Sequence, residues 1–207
     1  MTLQDYLRDP CGALSIPYWK AAAVRVPPQM CIVHDRNFDA ADFADYADEP
    51  YFRLRHDLSH VPPAQGDFCC RVAQESDLPL LAELINASYT DLSVTIGQLQ
   101  QYREVPAFSP DLWILLSDAA TGDPVGCGMA DFDPMAREGV LEWIQVLPGH
   151  RRRGAGQYIV SELLRRLASR ADFATVSGRV NSAASPEALY RRCGFTGRDV
   201  WHIMTRK

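Results

Sequence analysis

One stretch constrains the chain more than any other: Leu141-Glu142-Trp143-Ile144-Gln145-Val146-Leu147-Pro148-Gly149, followed by Arg151-Arg152-Arg153-Gly154-Ala155-Gly156. A run of strand formers stops at Pro148-Gly149, and a glycine-rich turn then opens a helix. Ile159, Val160, Leu163, Leu164 and Leu167 fall on one face of that helix, opposite Gln157, Glu162, Arg165 and Arg166. A helix entered this way leaves its first N–H groups without intrahelical partners, and the helix dipole adds partial positive charge there. Gly154 and Gly156 let a ligand come close to the main chain, and the three arginines add charge, so the unit reads as a pyrophosphate cradle. It is not a P-loop, because Ala155-Gly156 stand where Lys and Ser/Thr are required after Gly149 and Gly154. Nor is it a dinucleotide fingerprint, whose third glycine is replaced by Ile159.

Around this unit the pattern is mixed. Pro62-Pro63-Ala64-Gln65-Gly66-Asp67 is the clearest breaker cluster and marks a boundary. Before it lie a helical turn at Leu3–Leu7, a strand at Met30–Val33, a short helix in Asp39–Tyr46 and an alternating strand at Tyr51–Leu58. Residues 1–68 therefore read as an extension packed on a core domain of residues 69–207. That domain opens with a strand at Cys70–Ala73 and a helix led by Glu75-Ser76-Asp77, with a second helix over Val94–Tyr102. Strands follow at Leu112–Leu116, Val125–Phe132, Val140–Leu147, Ala174–Val176 and Val200–Met204. Ser185-Pro186-Glu187-Ala188-Leu189-Tyr190-Arg191-Arg192-Cys193-Gly194-Phe195 carries a Ser cap, a Pro at the first turn and a terminal Gly, the marks of a short helix. Antiparallel hairpins leading into a strand–helix–strand unit predict an α/β (α+β) fold.

Arg151-x-x-Gly154-x-Gly156, placed directly after a strand, resembles the acetyl-CoA-binding signature of the GCN5-related N-acetyltransferase (GNAT) superfamily. Ala188-Leu189-Tyr190-x-x-x-Gly194-Phe195 is similar to that family's last motif. The resemblance covers residues 69–207 and implies a mostly antiparallel central sheet flanked by helices, with residues 1–68 as an N-terminal extension. It implies acetyl-CoA as co-substrate and direct attack by an acceptor amine in a ternary complex. Main-chain groups of Ile144 and Val146 would pair with the pantetheine arm. Arg151, Arg152, Arg153, Gly154, Ala155 and Gly156 would take the phosphates. Asn181 resembles a CoA-contacting Asn, although it lies two residues farther from the Tyr than the family pattern has it. Tyr190 would protonate the leaving thiolate; taken alone, a Tyr in such a place is more often a packed aromatic than an acid.

The chemistry itself asks for a base. An amine with a pKa near 10.4 is neutral about once in 2,500 molecules at pH 7, a handicap of roughly 4.6 kcal/mol. Glu142 is the first candidate to remove that proton, with Asp131, Asp133 and His202 in reserve. Strand parity puts Glu142 on the face of Ile144 and Val146 unless a bulge intervenes.

Charge is unevenly spread over an average globular composition, 47% apolar and 23% charged. Residues 69–148 hold 3 Lys+Arg against 12 Asp+Glu, whereas residues 149–207 hold 12 against 4. A basic end suits a polyanionic ligand, and an acidic acceptor wall suits a small-molecule or peptide amine. The net charge of −5 argues against nucleic acid. No apolar run is long enough to span a membrane and no signal-peptide pattern opens the sequence. Six cysteines without CxxC spacing fit reduced, packed thiols, so the expected location is cytoplasmic. The five histidines show no metal-ligand spacing. A homodimer remains an open assembly state. Two rivals also stay open: a CoA-binding regulatory module of the same fold without transfer, and an enzyme using the cradle for another nucleotide.

Overall fold

The computed structural model describes residues 1–88, 93–182 and 186–207. Its strands are β1 (Met30–His34), β2 (Tyr46–His56), β3 (Phe68–Val72), β4 (Trp113–Asp118), β5 (Pro124–Asp133), β6 (Glu138–Val146), β7 (Phe173–Arg179) and β8 (Thr196–Arg206). Its helices are α1 (Leu3–Arg8), α2 (Pro10–Ala13), α3 (Tyr18–Ala21), α4 (Leu78–Asn86), α5 (Ile96–Tyr102), α6 (Ala155–Leu167) and α7 (Pro186–Arg192). The eight strands form one sheet in the order β1-β8-β2-β7-β6-β5-β4-β3. Every neighbour pair is antiparallel except β6 and β7, which α6 joins as a parallel crossover. The mixed, mostly antiparallel sheet expected from the sequence is present.

Residues 1–68 are more than a layer on that sheet. β2 pairs with β7 on one side and β8 on the other, so the extension supplies an interior strand. The alternation of Phe52 and Leu54 with Arg53 and Arg55 shows that this strand has two different faces, but not where in the sheet it sits. α1 is tied down by a buried polar network. The Glu138 carboxylate accepts from Tyr6 Oη at 2.7 Å, Thr175 Oγ1 at 2.5 Å and Arg53 Nη2 at 3.2 Å. None of these four side chains exceeds 2% exposure, which fixes α1, β2, β6 and β7 together through groups that would be costly to leave unpaired.

Helices cover both faces. α6 lays Ile159, Val160, Leu163, Leu164 and Leu167 on one face, all fully buried with Leu54, Ile114 and Val176. A Cβ at Gly139 would meet Leu167 Cδ1 at 2.5 Å, so glycine there is what lets α6 approach the sheet. On the opposite face, α4 and α5 pack Leu81, Ile85 and Leu99 against Trp113, Leu115 and Met129. α1 covers the same face farther along, where Tyr6 meets Phe173. Among the described residues no helix is long and apolar enough to cross a membrane.

Candidate active site

The site begins with an irregularity in β6. Ala130 pairs with Leu141 and the adjacent Met129 with Trp143, so Glu142 is an extra, bulged residue. The bulge resets the strand's parity. Leu141, Ile144 and Val146 pack toward α6, whereas Trp143 packs with the core under α4. β6 also leaves β7 here. Their pairing covers only Glu138–Leu141, and beyond that β6 continues on β5 alone. The sheet is thus splayed open between β6 and β7, beginning at Glu142.

On the α6 side, the splay meets a cleft of about 530 Å³ lined by Ile144, Val146, Arg151, Arg152, Gly154 and Gly156. These are six of the nine residues that the sequence assigned to the co-substrate. Gly154 caps α6 in the left-handed region, φ +88°, and the first intrahelical bond runs from Tyr158 N–H to Gly154 O at 2.9 Å. The N–H groups of Ala155, Gly156 and Gln157 therefore have no carbonyl of the same helix to donate to. Arg152, two residues earlier, also has a positive φ of 62°, a strained conformation for a long side chain of the kind that clusters at ligand sites. Pro186, Leu189 and Arg192 close the cleft from α7, spaced three apart on one helical face. Arg192 was legible only through that spacing, and the sequence reading passed over it. Among the described residues, three guanidinium groups and no carboxylate line the cleft, which suits a polyphosphate.

The remaining three assignments fare differently. Arg153 turns away, donating to Asp118 at 3.1 Å, and does not line the cleft. Ala155 is 1% exposed in the core, so only its main chain faces the cradle. Asn181 is exposed in the turn after β7 and does not line the cleft. The Ser185 cap expected for α7 lies outside the described residues.

A second pocket, of about 240 Å³, lies where β6 and β7 part, under the segment Ser15–Lys20. Both sheet faces contribute to its walls: Phe52 and Leu141 belong to the core beneath α6, while Arg53 bonds Tyr6 on the other side. Glu142 lines this pocket, on the face opposite Ile144 and Val146, because the bulge intervenes in the parity that would have placed all three together. Its carboxylate is ion-paired with Lys20 Nζ. Asp131 stands close by, 8% exposed, its carboxyl pushed up to about 7 by burial and then by the Glu142 charge, with Lys20 pulling the other way. The other reserve bases are engaged elsewhere. Asp133 accepts from the N–H groups of Met135 and Ala136, and His202 is held between Asp48 at 2.8 Å and Asp35 at 3.2 Å.

Tyr190 lines neither pocket. It is 7% exposed, with its ring centroid 5.7 Å from Phe195 and 6.1 Å from Phe52. Phe52 lines the second pocket, so Tyr190 stands one ring behind that wall.

The family model for the acetyltransferase (GNAT) domain matches residues 109–197, a span holding the splay, the arginine loop, α6 and α7. The chain carries a GNAT acetyltransferase domain. Solved structures agree in fold. A GCN5-related N-acetyltransferase from Sphaerobacter thermophilus matches with a TM-score of 0.66 and 18% identity over 86% of this chain, which spans 61% of that protein's length. The ribosomal-protein-S18-alanine N-acetyltransferase of Escherichia coli matches with a TM-score of 0.53 and 18% identity, over 66% of this chain and 91% of the other. A chain of the NatC complex bound to Gag peptide and CoA matches with a TM-score of 0.55 and 16% identity, over 69% of this chain and 99% of its own. No curated protein matches the sequence. At these identities the likeness shows the GNAT fold alone.

Proposed function

We propose that the protein is an acetyl-CoA-dependent N-acetyltransferase that moves an acetyl group to a small-molecule or peptide amine by direct attack in a ternary complex. The observation that carries this reading is the basic cleft at the start of α6, lined by Ile144 and Val146 of β6 just past the point where β6 and β7 part, with a second pocket lined by Glu142 at that parting.

Acetyl-CoA, when bound, supplies an activated thioester. Arg151, Arg152, Arg192 and the first N–H groups of α6 bind its phosphates, and the main chain of Ile144 and Val146 orients the pantetheine arm as an added strand. Arg151 Nε donates to Val146 O at 3.2 Å, so that side chain gives up this carbonyl as the arm seats. Glu142 takes the proton from the acceptor ammonium, with Asp131 as a second carboxylate beside it. Tyr190 is the residue proposed to protonate the departing thiolate, which requires the Phe52 ring between it and the pocket to move aside.

The first test is thermal unfolding with acetyl-CoA, CoA, ATP and NAD side by side. Ligand at a hundred times its Kd adds about 2.7 kcal/mol, worth roughly 5–11 °C for a chain of this size. A rise with both CoA forms and not with NAD or ATP supports the reading; no rise with millimolar CoA overturns it. A CoA-binding regulatory module is the second reading, favoured by the fact that Lys20 already holds Glu142. It predicts the same thermal shift with no turnover on any amine.

A further inference from the structure

The chain uses basic residues in a lopsided way, with nineteen arginines and only two lysines, Lys20 and Lys207. Lys207 is exposed and donates to Ala44 O at 3.1 Å. Lys20 is the amine that sits on Glu142, with its side chain 27% and the carboxylate 26% exposed, at the wall of the pocket that spans the splay. Its Nζ also lies 5.2 Å from the Trp19 ring centroid, which adds a cation–π contact to the ion pair. Arginine would satisfy the same charge and could not serve as a stable acyl acceptor. Ile144, where the cleft lining begins, is two residues along β6 from Glu142, about 7 Å of strand.

We infer that Lys20 is an acetylation site of the protein itself: its amine occupies the acceptor position and takes the acetyl group from acetyl-CoA bound in the same chain. The inference rests on the acetyl-CoA reading above. In the step, Lys20 loses one proton to Glu142 and its lone pair attacks the thioester carbon. The C–S bond breaks as the C–N bond forms, the electron pair leaves on sulfur, and the thiolate takes the second proton that the nitrogen sheds, giving CoA. The products are an uncharged Lys20 amide, CoA and one proton released to solvent. An amide no longer binds the carboxylate as an ammonium does, so Glu142 is freed and the pocket opens to external amines.

The test is to incubate the full chain with acetyl-CoA and follow acetylation by intact mass and peptide mapping, with Lys207 as the internal measure of uncatalysed background. Expected are faster labelling at Lys20 than at Lys207 and a first-order rate independent of protein concentration. Glu142→Gln is expected to slow Lys20 labelling about a hundredfold and leave Lys207 unchanged. Lys20→Arg, which keeps the charge and the fold, is expected to abolish the fast label. Thermal unfolding in the same samples separates the two readings. A rise with CoA but equal labelling at Lys20 and Lys207 overturns self-acetylation alone; no rise with any CoA form overturns both.

Discussion

Asp131→Asn gives the most direct check on the electrostatics of the pocket. Burial raises this carboxyl from the ordinary 3.8 to about 7, with Glu142 adding to the rise. Between pH 4 and 7 the folded chain therefore keeps a proton that the unfolded chain has released, and stability falls as pH rises through that window. Above pH 7 the whole cost is present. Three units at about 1.4 kcal/mol each put it near 4 kcal/mol, and an 8% exposed side chain leaves little solvent to relieve it. Asparagine has nearly the same shape and no charge to desolvate. At roughly 2–4 °C per kcal/mol for a chain this long, Asp131→Asn raises Tm by about 10 °C at pH 8 and by close to nothing at pH 4. Thermal scans by circular dichroism across that range measure the difference. A gain of equal size at both pH values, or none at pH 8, would refute the argument that an ionised Asp131 is costly in this pocket.

The other predictions concern the cleft, the wall and the frame. Gly154→Glu forces a carboxylate and a left-handed backbone, φ +88°, into the cradle, and is expected to weaken CoA binding more than about a hundredfold by calorimetry; an unchanged Kd would remove the loop from the site. Arg192→Ala is expected to weaken CoA about tenfold, whereas Arg153→Ala, whose side chain is held by Asp118, leaves the Kd nearly unchanged; the reverse order would refute the assignment. Tyr190→Phe should lower kcat with the CoA Kd preserved, and equal kcat would take Tyr190 out of the reaction. Glu138→Gln leaves Arg53 buried without its counter-charge and is expected to cost about 3–5 kcal/mol in urea unfolding, so a loss under about 1 kcal/mol would show the network to be dispensable.

Much of this was legible in the residues. The apolar face of α6, the turn at Pro148-Gly149 and the glycine that caps the helix follow from local periodicity and backbone freedom, which a single sequence records directly. What it does not record is register. Nothing in Leu141-Glu142-Trp143 reveals that one of the three is extra, because a bulge is defined by the partner strand. The same holds for Lys20, which reaches Glu142 across 122 residues of sequence, and for Tyr190, whose burial depends on Phe52 from a strand that local patterning could not place. The residues of the basic cleft were legible because a loop collects most of them in one stretch; the pocket that holds Glu142 was not, because five distant segments build it.

The position of β2 also bears on how the chain is made. Its contacts with β8 join residues 141 positions apart, as where Thr196 Oγ1 reaches Arg55 O. At about 5–20 residues per second, a ribosome takes on the order of 10 s to add the segments that β2 pairs with on both edges. Through that interval Phe52 and Leu54 have no core to enter, and both edges of the strand stay open to other chains. Arg53 and Arg55 alternate with those two apolar residues and charge the segment. The two arginines therefore guard the unfinished protein against aggregation during synthesis as well as packing the finished one.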